Sequence, residues 1–200
     1  MGHRVFIAIN FPKDVKEELG NIRDEFPSLP CRWTRKENLH LTLLFLGYLN
    51  DEEVLETCKI VKAVGERHSP FVFELNNISY GPPTNPLKKQ SFHGAGKLPR
   101  MVWASGQPTK ELTKLNQDLE NSLFEKISKD SEQGRSFAPH VTLARIKQWQ
   151  LREMELEEIP EINKEISLRI PVESIEVMES ELKREGPEYS ILETCPLSSL

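Results

Sequence analysis

The chain has 200 residues and a formal net charge of −5, with 38% hydrophobic and 28% charged side chains, proportions that suit a soluble globular protein with a buried core. No stretch is long and apolar enough to span a bilayer, and Cys31, Cys58 and Cys195 are too few and too scattered for a disulfide framework or a zinc knuckle. The excess acid falls mostly after Gln150, so no broad basic face is expected, and any nucleic-acid contact should be local, at a chain end rather than along a duplex.

The first predicted element is a strand over 4–10, reached without a charged-then-apolar leader, which makes a cytoplasmic protein the expectation. Val15, Leu19, Ile22 and Phe26 then recur at helical spacing and predict a helix over 13–25. After a Pro-rich loop at 27–30 come a strand over 40–48 and a helix over 51–68. Asn50 is placed as the N-cap of that helix, with Glu53 completing a capping box. A strand over 71–80 leads into Gly/Pro-rich loops at 81–86 and 94–99.

The second half repeats this order. A strand over 100–105 precedes a helix over 108–129, with Pro108 at its first position and Leu112, Leu115, Leu119 and Leu123 as its buried stripe. A strand over 140–147 and a short helix over 148–158 follow. Strands are expected over 162–170, 174–181 and 188–194; Ile166, Leu168 and Ile170 alternate with polar residues, as a one-sided antiparallel sheet requires. The pattern predicts an α+β protein. Residues 1–200 form a single domain of two pseudo-symmetric lobes, each an antiparallel sheet with outer helices, around a central cleft. Which lobe takes the late strands stays open.

Each copy carries one H-x-T motif at the start of its second strand: His40-Leu41-Thr42-Leu43 and His140-Val141-Thr142-Leu143. Residues i and i+2 of a strand share a face, so each His and Thr stand together before an apolar backing. One such motif would mean little; two at matching positions of a duplicated chain point to a site with two facing walls. Paired imidazoles suit in-line displacement at phosphorus, one removing a proton from the attacking water and the other donating one to the leaving oxygen. Threonine hydroxyls can bind the non-bridging oxygens. His3 is expected in a disordered start, His68 at a helix end, and His93 in a Gly-rich loop. A metal site is not expected, because the motifs supply no third His or carboxylate at ligand spacing and Thr is a poor zinc ligand.

The paired motifs, the run His-Leu-Thr-Leu-Leu-Phe-Leu-Gly at 40–47, the run Phe-x-Pro-His-Val-Thr-Leu-Ala-Arg at 137–145 and Arg100-Met101-Val102-Trp103 resemble the two-histidine phosphoesterase superfamily, and within it the RNA 2′,3′-cyclic phosphodiesterases, also called 2′-5′ RNA ligases. The resemblance spans essentially the whole chain. It implies metal- and cofactor-independent hydrolysis of a terminal 2′,3′-cyclic phosphate on RNA to a 2′-phosphomonoester; a monomer is expected. His40 would protonate the leaving O3′, His140 would activate water, and Thr42, Thr142 and Arg145 would bind the phosphate.

Arg145 lies five residues after His140, so strict alternation puts it on the opposite face; either a bulge or the strand's end re-aims it, or it is a surface charge. Trp33 and Phe45 are candidate platforms for base stacking, with ordinary core aromatics the alternative. Formation or cleavage of a 2′-5′ linkage at the same site, and an RNA-end or nucleotide-binding module without turnover, are the competing functions.

Overall fold

The apolar run at 5–9 has no alternation to leave one face wet, and it forms a strand covered on both sides. In the computed structural model, which describes residues 2–82, 98–124, 127, 137–184 and 186–198, that strand is β1 (His3–Asn10). It lies between β3 (His40–Leu49) and β8 (Ser174–Lys183), and β9 (Gly186–Pro196) completes a four-stranded antiparallel sheet. The second sheet runs, in order, β2 (Cys31–Trp33), β6 (His140–Ile146), β5 (Met101–Ser105), β4 (Phe71–Gly81) and β7 (Asn163–Val172), again with antiparallel neighbours.

Without β2 the second sheet reads β6-β5-β4-β7, which matches β3-β1-β8-β9 strand for strand. The duplication expected from the sequence is therefore a duplication of sheets, and neither sheet comes from one half of the chain. β4 follows α2 (Asp51–Gly65) out of the first copy into the second sheet, while the hairpin β8–β9 returns to the first. Alternation alone could not assign these strands, because it reports which face is buried and not which neighbour is paired.

The helices are α1 (Lys13–Asn21), α2, α3 (Lys110–Phe124) and α4 (Gln148–Glu153). α2 packs on β8, β9 and α3. Val61 and Val64 share a core with the α3 stripe Leu112, Leu115, Leu119 and Leu123 and with Val5, Ile7 and Ile9 of β1. The predicted capping box is present: the Asn50 side-chain oxygen accepts from the Glu53 amide at 2.9 Å, and the Glu53 carboxylate accepts from the Asn50 amide at 2.8 Å.

Some ends differ from expectation. α3 starts at Lys110, where the Thr109 hydroxyl oxygen accepts from the Leu112 amide at 3.1 Å, so Thr109 supplies the cap and Pro108 stands before it. The helices expected to reach 25 and 158 stop earlier and give way to 3₁₀ turns over Ile22–Glu25 and Leu156–Glu158. β2 was not foreseen; three residues between a Pro-rich loop and a turn carry too little pattern.

The histidines outside the motifs are structural where they are described. His3 is not disordered: it opens β1, with Nδ1 2.7 Å from a Glu179 carboxylate oxygen and Nε2 2.9 Å from one of Asp51. His68 is buried beyond the end of α2, where Nε2 lies 2.9 Å from an Asp118 carboxylate oxygen; Arg67 also binds Asp118, and together they pin α2 to α3. His93 lies outside the described residues. Among the described residues, no helix is long and apolar enough to cross a membrane.

Candidate active site

His40 opens β3, the edge strand paired with β1, and His140 opens β6, which lies between β2 and β5. Leu41, Leu43, Val141 and Leu143 go to the core and turn His40, Thr42, His140 and Thr142 the other way. All seven residues singled out in the sequence (His40, Thr42, Phe45, His140, Thr142, Arg145 and Trp33) border one cleft of about 310 Å³.

A pair of matching bulges explains how Arg145 reaches it. On β6, Ala144 pairs with Val102 and Thr142 with Trp103, so Leu143 is an extra residue and the alternation resets. Arg145 consequently shares the cleft face with His140 despite the odd spacing. On β3, Leu44 pairs with Ile7 and Thr42 with Ala8, which leaves Leu43 as the extra residue and brings Phe45 to the face of His40. Phe45 and Arg145 occupy equivalent positions of the two copies. Each bulge carbonyl finds a donor: the Asn116 side-chain amide donates to Leu43 O at 2.9 Å, and the Thr34 amide donates to Leu143 O at 2.8 Å.

The two imidazoles are oriented alike. His40 Nδ1–H donates to the Asn38 carbonyl at 2.7 Å and His140 Nδ1–H to the Ala138 carbonyl at 2.8 Å, each two residues upstream. A carbonyl only accepts, so Nδ1 carries the proton in both neutral rings and Nε2 is the nitrogen available for exchange. His40 Nε2 is 3.0 Å from the Thr42 hydroxyl, which donates to it. Burial pushes the His40 imidazole down to about 4; the Asn38 carbonyl opposes this, while the charges of Lys16 and His140 add to it. Burial also lowers the pKa of His140, against the pull of the Ala138 carbonyl.

Aromatic rings fix the rest of the geometry. Trp103 stacks on His140 with centroids 3.8 Å apart, and a side chain at Gly81 would collide with its indole, so the glycine makes room for the stack. His40 packs against Phe6 at 5.0 Å and edge-on against Tyr189 at 5.1 Å. Phe45 is no core aromatic: it is 61% exposed and stands 5.8 Å from Phe6. Trp33 has the buried Ala144 as its register partner and packs against the core while also bordering the cleft.

Sequence reasoning missed Arg32, Thr34, Arg35, Asn38, Tyr189 and the Gly186-Pro187 segment on the cleft wall. The basic-aromatic cluster Arg32-Trp33-Thr34-Arg35 shortly before the first motif was a signal for part of this; nothing local marked Tyr189. Among the described residues, three arginines and no carboxylate line the cleft, so the cleft of this acidic chain is locally basic. Among the described residues, no group of three or more His, Cys, Asp or Glu side chains is placed to hold a metal ion.

The family profile described as LigT-like phosphoesterase matches residues 9–88 and 102–189, spanning both motif strands. The chain belongs to this family. An RNA 2′,3′-cyclic phosphodiesterase of Thermotoga maritima is 26% identical over 198 residues, covering 96% of this chain and 94% of the relative. A Thermus thermophilus protein of known crystal structure superposes with a TM-score of 0.79 at 26% identity, over 98% of both chains. Escherichia coli LigT complexed with 3′-AMP superposes with a TM-score of 0.71 at 23% identity, over 98% of this chain and 99% of that one, which is a likeness of fold. The two-lobed α+β architecture expected from the order of elements is thus that of the LigT-like phosphoesterases.

Proposed function

We propose that this LigT-like phosphoesterase opens terminal 2′,3′-cyclic phosphates on RNA to 2′-phosphomonoesters, the whole chain acting as one two-lobed unit and as a monomer. The observation that carries this reading is the matched pair of imidazoles, one per sheet, each with Nδ1–H tied to a carbonyl and Nε2 left for proton exchange across one arginine-lined cleft. Relatives named RNA 2′,3′-cyclic phosphodiesterase support the substrate class.

In the proposed reaction His140 Nε2 takes a proton from water as its oxygen attacks phosphorus. The P–O3′ bond breaks in line, and His40 Nε2–H protonates O3′, leaving the phosphate on O2′. Thr42, Thr142 and Arg145 hold the non-bridging oxygens and stabilise the charge gathering there. Phe45 and Trp33 offer surfaces for the terminal base. No metal or cofactor enters these steps. Held at about 4 by burial, the His40 imidazole is neutral at neutral pH, so its role as donor depends on the bound phosphate: an anion within about 4–6 Å favours the protonated ring and offsets the burial that lowers it.

Reaction of a short 2′,3′-cyclic-phosphate RNA in H₂¹⁸O with EDTA present tests this reading. The expected product is a 2′-phosphomonoester carrying one ¹⁸O, seen by mass spectrometry and phosphorus NMR. A 3′-phosphomonoester, an unlabelled product or loss of turnover in EDTA contradicts it, and a new 2′-5′ bond with an added 5′-hydroxyl RNA would identify the ligase chemistry instead.

A further inference from the structure

Arg32 of β2 is the cross-strand partner of Arg145 of β6, both border the cleft and both are exposed. Like charges directly opposed on a sheet repel, and among the described residues neither guanidinium forms an ion pair. Arg35 differs, because Glu188, held below the usual carboxylate range chiefly by Lys183, also feels Arg35. An acidic chain thus keeps two cross-strand arginines together in a cleft whose described lining holds no carboxylate.

Backbone without a side chain lies close to Arg32. Gly186 has φ of +124° and sits where any side chain would collide with the Arg32 guanidinium, so bare backbone lies against that head group. The next residue is anchored, since the Asn38 side-chain amide donates to Pro187 O at 2.8 Å. β2 is also the strand with no counterpart in the first sheet, so this cation breaks the pseudo-symmetry of the cleft. A symmetric cleft would suffice for one phosphate between two imidazoles; a second cation on one side fits a substrate that continues in one direction.

We infer that Arg32, beside Arg145, receives a second phosphate: the one on O5′ of the nucleotide whose ribose carries the cyclic phosphate. This rests on the proposed function, which fills the histidine pair with the cyclic phosphate. Opposed residues on neighbouring strands have Cα atoms about 5 Å apart, and two long side chains from such positions can serve anions separated by one ribose. The preferred substrates are then RNA chains or 5′-phosphorylated nucleotides rather than bare nucleoside cyclic phosphates.

The test compares kcat/KM of the wild type and Arg32→Met on adenosine 2′,3′-cyclic phosphate, its 5′-phosphorylated form and the dinucleotide ending in the same group. The wild type should favour the two substrates with an O5′ phosphate by about ten- to a hundredfold. Arg32→Met should lose at least about tenfold more on them than on the bare nucleoside form, and Arg32→Lys should recover part of the loss. The ratio between the two phosphorylated substrates tells whether a terminal monoester or an internucleotide diester is preferred.

An equal penalty on all three, or none, overturns the inference. If the wild type turns over none of them, the proposed function fails, and the second phosphate is read from binding instead. Calorimetry should then find adenosine 2′,5′-bisphosphate bound more tightly than adenosine 2′-monophosphate by the wild type but not by Arg32→Met; equal discrimination by both proteins overturns the assignment of Arg32.

Discussion

Alanine at His140 or at His40 lowers single-turnover rates on a 2′,3′-cyclic-phosphate RNA by about 10²–10⁴-fold, and the double variant falls little below the poorer single one. The loss is large because each Nε2 is the proton-exchanging atom of its wall; Nδ1 is already committed to Asn38 O or Ala138 O. It is less than multiplicative because removing either transfer leaves the other without the charge redistribution it serves. Both side chains stand outside the main core, so thermal melting should show the variants folded. Turnover near the wild-type rate in either folded variant contradicts the proposed roles.

The second large effect falls on Arg145. Arg145→Met lowers kcat/KM by about 10²-fold, the scale seen when one donor to a developing oxyanion is lost, and Arg145→Lys recovers only part because an ammonium cannot reproduce the planar fork. Steady-state kinetics with Arg152→Met as an exposed control on α4 separates this from a general charge effect. Equal rates for Arg145→Met and the control would return Arg145 to the status of a surface charge. The physical basis is the extra residue Leu143, which resets alternation and brings Arg145 to the cleft face.

That bulge marks the boundary of what the sequence discloses. The motif pairs could be read from it because side-chain period is a local property: Leu41 and Leu43, or Val141 and Leu143, are apolar and buried, so the polar residues between them must face the other way. The Asn50–Glu53 box was legible for the same reason. The bulges at Leu43 and Leu143 were not, since an extra residue is defined by the partner strand's register, and both bulged residues are ordinary buried leucines.

Strand exchange between the sheets was hidden likewise, because β4, β8 and β9 carry patterns that either sheet could bury. Tyr189 came to the cleft through the return of β9 to the first sheet, and Arg32 through the equally nonlocal pairing of β2 with β6. For His3, a position near the chain start suggested disorder, and only tertiary structure supplies its carboxylate partners Glu179 and Asp51.

The pH dependence of kcat/KM on a short cyclic-phosphate RNA tests the acid–base pair most directly, since that ratio reports the groups of the free enzyme. One imidazole must be neutral to accept a proton and the other charged to donate one, so activity rises as the first proton of the pair is lost and falls as the second is lost. Burial sets His40 at about 4 and also lowers His140, so both apparent pKa values, which belong to the pair rather than to either ring, should lie below about 6.5. The predicted result is a bell with its maximum on the acid side of 6.5 and its acid limb near pH 4. A profile with a single limb, or a plateau reached only above neutrality, would contradict a pair of buried imidazoles sharing the proton transfers.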